Sequence, residues 1–388
     1  SLRNRKNQNK EKMSEWKEYK LGDVAEIKYG KDHKHLVNGD IPVYGSGGIM
    51  RYADKALYES ESILIPRKGT LSNLFYVNKP FWSVDTMFYT KIKSGFNVKY
   101  LYYYLKTLDL ASMNVGSAVP SLTTEVLDRI EIKLPDISTQ NRIAASLSSL
   151  DDKIDLLHCQ NKTLEQMAET LFRQWFVKEA DESWYVGKLG DVAVVQNGYA
   201  FSSRDYVPYQ DGLLEVLKMG HIAVGGGLRT NPKKNFVPRE EKFKKWTLNK
   251  NDIIMGMTDM KDNVVILGVP AMIDKSDKYV LNQRVARIYL KSNNKLVNSY
   301  LLYIQLNNKE FIATLQSKAN SGVQVNLSTD AIKDCDILIP PLDLQMEKGT
   351  AITEFYLKKE NNNNQIRTLT QLRDTLLPKL MSGEVRVE

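Results

Sequence analysis

The chain has 388 residues, 42% of them hydrophobic, and carries a formal net charge of +8. This allows two or three domains with cores of their own. No apolar run approaches the ~20 residues that cross a bilayer, the charged start lacks a secretory apolar segment, and Cys159 and Cys335 cannot build a disulfide framework. A membrane span and a secreted, disulfide-stapled scaffold are thereby set aside, and the cytoplasm is the expected location.

Residues 1–13 read as a mobile leader, with Met13 a candidate start. Residues 1–20 hold seven Lys/Arg and three Glu, which is half of the net excess. A first globular unit is expected over residues 14–134. Val24 to Tyr29, Ser62 to Ile65 and Phe88 to Ile92 read as strands, and Gly45-Ser46-Gly47-Gly48 as a tight turn. Val98 to Leu110 reads as a helix on a sheet. Gly116 to Leu122 is a loop before a helix capped by Thr123 or Thr124, and Glu131 to Leu134 is a last strand. Residues 135–182 follow as a long helix. Its apolar residues step by four and three through Ile143, Leu147, Leu150, Ile154, Leu157, Leu164 and Leu171, with Asn161 the polar interruption. That period of 3.5 is a coiled-coil seam. Some 39 helical residues at 1.5 Å each make a rod of about 58 Å.

Residues 183–339 are expected to form a second unit. Its strands are Val192–Val195, Leu214–Leu217, Asp252–Met255, Val264–Leu267 and Val285–Leu290, with a helix from Val297 to Leu306. Residues 340–388 form a second long helix and tail. Ile352, Phe355, Ile366, Leu369 and Leu376 continue a seam that Lys348, Lys359, Asn362 and Arg373 interrupt. The run Asn361 to Asn364 predicts fraying or a bend, Pro378 a loosened last turn, and Asn161 a solvated break rather than a register device.

The order is a repeat. Shifted by 205, Leu122-Thr123-Thr124-Glu125 becomes Leu327-Ser328-Thr329-Asp330, Ile132-Lys133-Leu134-Pro135 becomes Ile337-Leu338-Ile339-Pro340, and Gln140 becomes Gln345. Shifted by 168, Lys20-Leu21-Gly22-Asp23-Val24 becomes Lys188-Leu189-Gly190-Asp191-Val192, so the second copy holds 37 extra residues in its middle. Self-similarity of this kind ranks above local detail. A unit of this size has a radius of gyration of about 15 Å, so both helix junctions lie close together compared with the rod. The second helix is then expected to return along the first. The predicted class is α+β: two mixed α/β units, two long helices in an antiparallel coiled coil, and a pseudo-two-fold internal repeat.

Catalytic signatures do not emerge. There is no phosphate loop, and Gly45 to Gly48 lacks Rossmann spacing. His33, His35, His158 and His221 are scattered, with His33 and His35 expected at the surface, so no metal site is expected. Glu131-Ile132-Lys133 before Asp136 has a nuclease set's residues in reversed order and reads as a strand edge. Asn78-Lys79-Pro80-Phe81 departs by one residue from the amino-methyltransferase tetrad and reads as a turn. The segment Leu228 to Lys250 holds eight basic and two acidic residues interleaved with Phe236, Phe243 and Trp246, a pattern that favours nucleic acid.

Two units that each open on Lys-Leu-Gly-Asp-Val and close on Ile/Leu-Pro with Gln140 or Gln345 resemble the DNA specificity subunit of type I restriction–modification systems. The resemblance covers Trp16 to Val387. It implies a non-catalytic, sequence-specific DNA-binding subunit in which each unit is a target recognition domain reading half of a bipartite, asymmetric site. It implies helices that set the spacing and dock two adenine methyltransferase subunits, with motor-nuclease restriction subunits joining for cleavage. Double-stranded DNA is then the ligand; this chain holds no cofactor, and S-adenosylmethionine belongs to the methyltransferases. Basic residues expected on phosphates are Arg67, Lys68, Lys233, Lys234, Lys244 and Lys245. Loop residues expected at base edges are Ser46, Arg51, Ser117, Lys218, Thr258, Asp259, Gln283, Arg284 and Gln324. The rival reading from the residues alone is a coiled-coil assembly scaffold without sequence-specific DNA reading; a DNA-modifying enzyme is disfavoured by the missing motifs.

Overall fold

The computed structural model describes residues 16–114, 121–181, 184–261, 264–293, 295–321 and 324–387; the expected leader, residues 1–13, lies outside them. The chain mixes helix and sheet and divides into two compact units, Ser1–Leu156 with Gln365–Glu388, and Leu157–Asn364. The division falls inside both long helices, Ile137–Arg173 and Leu342–Met381, so each unit keeps a piece of each.

In the first unit, Lys17–Lys20 pairs antiparallel with Glu131–Leu134. Between them the repeated Leu-Gly-Asp-Val forms one helical turn, Leu21–Val24, not the start of a strand. Asp23 closes it by accepting from Lys20 N–H (2.8 Å). Gly22 allows a close approach: a Cβ there would lie 3.1 Å from the Asp128 side chain on the short helix Thr124–Asp128. Thr123 caps that helix through Val126 N–H. A four-stranded antiparallel sheet follows, in the order Ala25–Tyr29, Met87–Ile92, Ser62–Pro66, Phe75–Val77. Ser62–Pro66 is buried throughout. A three-stranded sheet orders Gly48–Ala53, Ile41–Gly45 and Trp82–Ser83, the last pair parallel. The helix Val98–Lys106 ends a turn earlier than its composition suggests, and Tyr100, Leu101 and Tyr103 sink into the core beside Ile143, Leu147, Leu380 and Met381.

The second unit repeats this order by itself. Tyr185–Lys188 pairs with Asp336–Ile339, and Leu189–Val192 is again a single turn closed by Asp191 (3.0 Å). The four-stranded sheet runs Ala193–Asn197, Val285–Leu290, Ile253–Gly256, Pro270–Met272, and the three-stranded sheet Phe236–Val237, Leu214–Leu217, Tyr279–Leu281. The connection that spans residues 46–47 in the first unit spans residues 218–235 here, which places much of the enlargement at one sheet edge. Val264–Leu267, expected as a strand, is a loop, and Pro270–Met272 takes the strand position.

Two buried glutamines anchor the long helices. Gln140 accepts from Asn97 N–H (3.0 Å) and donates to Pro135 O (2.9 Å). Gln345 accepts from Val297 N–H (3.0 Å) and donates to Pro340 O (2.7 Å) and Lys295 O (2.8 Å). Of the seam residues, Ile143, Leu147, Ile154, Leu157, Ile352 and Ile366 are buried. Leu150, Leu164, Leu171, Phe355, Leu369 and Leu376 are half-buried.

The polar seam positions are partnered. In the first unit Arg373 meets Asp151 (2.7 Å), which also accepts from Tyr103 OH (2.6 Å). In the second, Lys359 meets Glu165, and Lys348 meets Glu179 at 3.3 Å. Asn161, 6% exposed, donates to Asn363 Oδ1 (2.8 Å) and accepts from Asn362 Nδ2 (3.0 Å). Partners that rise along one helix as they fall along the other make the stretches of this unit antiparallel. The expectations of a solvated break at Asn161 and fraying at Asn361 to Asn364 are therefore corrected: the amides satisfy one another inside the seam, and the helix continues through them. It also runs through Pro378 to Met381. His33 is half-buried, with a buried ring nitrogen, rather than at the surface.

Asn161→Ala should cost about 1–3 kcal/mol, because it strands the Asn362 and Asn363 amides. Asn161→Leu with Asn362→Leu should recover part of that loss, since it removes one of the two stranded amides and leaves Asn363. Denaturant unfolding of the three proteins checks this, and equal midpoints for wild type and Asn161→Ala would refute it.

Candidate nucleic-acid interface

In the first unit three segments converge at one sheet edge. The chain leaving Ser62–Pro66 turns at Arg67, whose N–H donates to Thr86 O (2.9 Å) and whose carbonyl accepts from Leu122 N–H (2.9 Å). Lys68 forms a bridge with Ser121. The Gly45–Gly48 turn is tied to this loop by Asn73 Nδ2, which donates to Ser46 O (2.8 Å). Gly69, at φ +90°, leaves a would-be Cβ only 3.0 Å from Ser46 Oγ, so the approach needs glycine. Ser46, Arg67 and Lys68 are thus brought together. Lys68 is exposed, and the Arg67 guanidinium lies over the Tyr29 ring (5.3 Å). Arg51 is used within the fold, donating from Nη2 to Leu36 O (2.7 Å). Ser117 lies outside the described residues.

Met257 takes the place of Arg67 in the second unit, donating to Arg284 O (3.1 Å) and accepting from Leu327 N–H (2.8 Å). Thr258–Met260 then pairs with Gln324–Asn326, Met260 opposite Gln324. This gathers Thr258, Asp259, Arg284 and Gln324; Arg284 and Gln324 are exposed. Thr258 Oγ1 donates to Met219 Sδ (2.8 Å), which brings in the turn after Lys218. Lys218 lies over the Tyr206 ring (4.2 Å) and donates to Asn235 Oδ1 (2.8 Å), beside the exposed Lys233 and Lys234. Gln283 is exposed and joins this edge through its N–H to Tyr199 O (2.9 Å). Lys244 and Lys245 sit on a separate 3₁₀ turn, Glu241–Trp246, whose Trp246 packs on Tyr199 at 5.0 Å.

The Asp259 carboxylate is committed to its own loop. It accepts from the N–H groups of Met260, Val265, Ile266 and Leu267 at 2.6–3.2 Å. Burial pushes its pKa up, but these donors outweigh burial and hold it below the usual carboxylate value. Those bonds also explain why Val264–Leu267 is not a strand. Three neighbours were absent from the sequence-based set: Asn73, Met219 and the exposed Arg229, whose N–H donates to His221 O (2.8 Å). Only Arg229 left a signal, as a basic residue following the Gly225-Gly226-Gly227 turn. Among the described residues no cluster of His, Cys, Asp or Glu could hold a metal ion, and no helix is long and apolar enough to cross a membrane.

This mixed fold is shared with a solved protein. The crystal structure of a type I restriction–modification system S subunit from M. genitalium superposes with a TM-score of 0.62 at 17% identity, over 95% of this chain and 96% of that one. Residues 13–166 and 181–371 match the family described as type I restriction modification DNA specificity domain, and the chain belongs to that family. Similar relatives are the type I restriction enzyme MjaIX specificity subunit of Methanocaldococcus jannaschii, 25% identical over 96% of this chain and 94% of that protein, and the HindI specificity subunit of Haemophilus influenzae, 22% identical over 96% and 100%. DNA target recognition within a type I restriction–modification system is accordingly the role of this chain.

Because the folded Asp259 pKa lies below its unfolded value, its stabilisation is present above the unfolded pKa of about 4 and is lost as pH falls through the folded one. The protection factors of the Val265, Ile266 and Leu267 amides, taken against the intrinsic exchange rate at each pH, should therefore fall on acidification in the wild type. Asp259→Asn should already exchange faster at neutral pH and show little further change. Equal protection in both proteins would contradict the assignment.

Proposed function

We propose that each unit reads one half of a bipartite, asymmetric DNA site, and that the long helices set the gap between halves and dock two adenine methyltransferase subunits. The observation that carries this is the repeated junction, Arg67 with Thr86 and Leu122, and Met257 with Arg284 and Leu327. The same backbone arrangement carries different side chains in the two units, as two readers of different half-sites require. Arg67, Lys68, Lys233 and Lys234 position the duplex through phosphates, while Ser46, Lys218, Thr258, Arg284 and Gln324 read base edges. Gln283, Lys244 and Lys245 extend the second surface. Ser117 belongs to the same loop by sequence. Asp259 acts on its own loop from within the fold, and Arg51 is held by Leu36 O. The chain performs no chemistry of its own; methyl transfer from S-adenosylmethionine belongs to the partner methyltransferases, and cleavage to motor-nuclease subunits.

Methylome sequencing of cells that carry the cognate methyltransferase, with and without this chain, tests the reading. Methylated adenines should appear in a two-part, asymmetric motif only when the chain is present. A methylome indifferent to it would favour an assembly scaffold. Separately, Lys233→Ala with Lys234→Ala should weaken DNA binding on every sequence and flatten the salt dependence by about one unit per lost phosphate contact. Titrations at several salt concentrations check this, and unchanged affinity would remove the pair from the interface.

A further inference from the structure

We infer that the buried Glu215–His221 pair positions the DNA-facing edge of the second unit by fixing the Lys218–His221 turn, and through it Lys218, Arg229 and Thr258; this rests on the half-site reading proposed above. Glu215 lies on the strand Leu214–Leu217, whose residues are all buried, and is itself 5% exposed; His221 is 3% exposed. A carboxylate in such a place must be paired. His221 Nδ1 lies 3.1 Å from the Lys218 backbone nitrogen, and that N–H can only donate, so Nδ1 is the unprotonated acceptor. The ring proton is then on Nε2, which donates to Glu215 Oε1 at 3.1 Å. Lys278 Nζ stands 3.8 Å from the other carboxylate oxygen. Burial raises the Glu215 pKa, but His221, Lys278 and Lys234 outweigh it and keep the group ionised.

The result is a directed chain from a core carboxylate to the backbone of a surface turn. His221 N–H returns to Lys218 O (2.9 Å), the His221 carbonyl holds Arg229 N–H (2.8 Å), and Met219 receives Thr258 Oγ1 (2.8 Å). Three groups at the candidate interface therefore depend on where one imidazole sits. The need is local to this unit. Residues 218–235 include Gly225, Gly226 and Gly227, all at positive φ, and such a connection has little stiffness of its own. The matching turn in the first unit is only residues 46–47 long and is held by a single amide, Asn73 Nδ2 on Ser46 O (2.8 Å). Stability alone does not call for the pair, since apolar side chains of the same shape serve a core as well or better.

The test uses the full chain assembled with its methyltransferase subunits. The probes are duplexes bearing the two-part motif read from the methylome, and the same duplexes with single base-pair changes in each half. In His221→Leu, discrimination should fall about tenfold in one half only. The salt dependence should become shallower by about one unit for each phosphate contact released. His221→Asn, whose amide oxygen can accept where Nδ1 does, should restore part of the loss. Met219→Ala, at a half-buried position, removes the link to Thr258 and some packing on the core beside Leu217 and Ile222, leaves the Glu215–His221 pair in place, and should relax the same half; it decides the matter if His221→Leu does not fold. Folded variants that keep wild-type discrimination in both halves, or that lose both halves equally, overturn the positioning role. A wild-type assembly that discriminates in neither half overturns the half-site reading and this inference with it.

Discussion

One buried side-chain amide in each unit holds the globular part to its long helix. Gln140, 2% exposed, and Gln345, 1% exposed, satisfy their hydrogen bonds with backbone groups on separate segments. These are the start of the helix that packs on the sheet, and the proline-marked exit of the last strand. A buried amide left unpaired costs about 1–3 kcal/mol, so the segments cannot drift apart independently. Direction follows from position. Each residue of a helix turns the chain by 100°, so pinning the first turn fixes which face of the long helix meets its neighbours. The apolar seam, the polar pairs along it and the placement of the sheets all inherit that choice.

The features legible in the sequence were those with a period or a repeat. Self-comparison located both copies, and the steps of three and four located residues that are buried or half-buried along both helices. Features made by a distant partner were not legible. Lys348, Lys359, Asn362 and Arg373 read as damage to a seam, because Glu179, Glu165, Asn161 and Asp151 lie 169 to 222 residues away. Val264–Leu267 has strand composition, yet an aspartate outside it captures its amides. Leu-Gly-Asp-Val is too short for any periodic test, and its helical turn follows from Asp23 and Asp191 acting as local caps. Within the candidate interface the loops were visible as Gly- and Ser-rich punctuation. Which of them touch was not, since the Asn73–Ser46 and Thr258–Met219 contacts cross 27 and 39 residues.

The polar residues of the seam specify more than they stabilise. Asp151 is bonded at once by Arg373 and by Tyr103 from the sheet-packing helix, so the helices of the first unit can slide only by breaking both contacts. In the second unit, moving either helix by one turn would leave Asn161, Asn362 and Asn363 facing apolar neighbours. An apolar seam alone tolerates such slips at modest cost, whereas a buried amide cluster does not. Long helices that carry globular parts require this more than they require extra stability, because an error in register would displace whatever they hold.

The two units show how such a frame can change its surface at small thermodynamic cost. Replacing the two-residue connection at 46–47 by residues 218–235 is about three doublings of loop length, on the order of 2 kcal/mol of closure entropy. A few anchors offset it: Lys218 bonds Asn235 across the base of the insertion, Gly227 N–H bonds Pro270 O (3.0 Å), and Glu215 holds His221. Hydrogen bonds of this kind contribute about 1 kcal/mol net each, so the sum stays near zero. The four-stranded sheets, the single-turn caps and the glutamine anchors need not change at all. Divergence at this sheet edge is therefore nearly uncoupled from folding, and this is the physical condition for two surfaces of different shape to rest on one repeated scaffold.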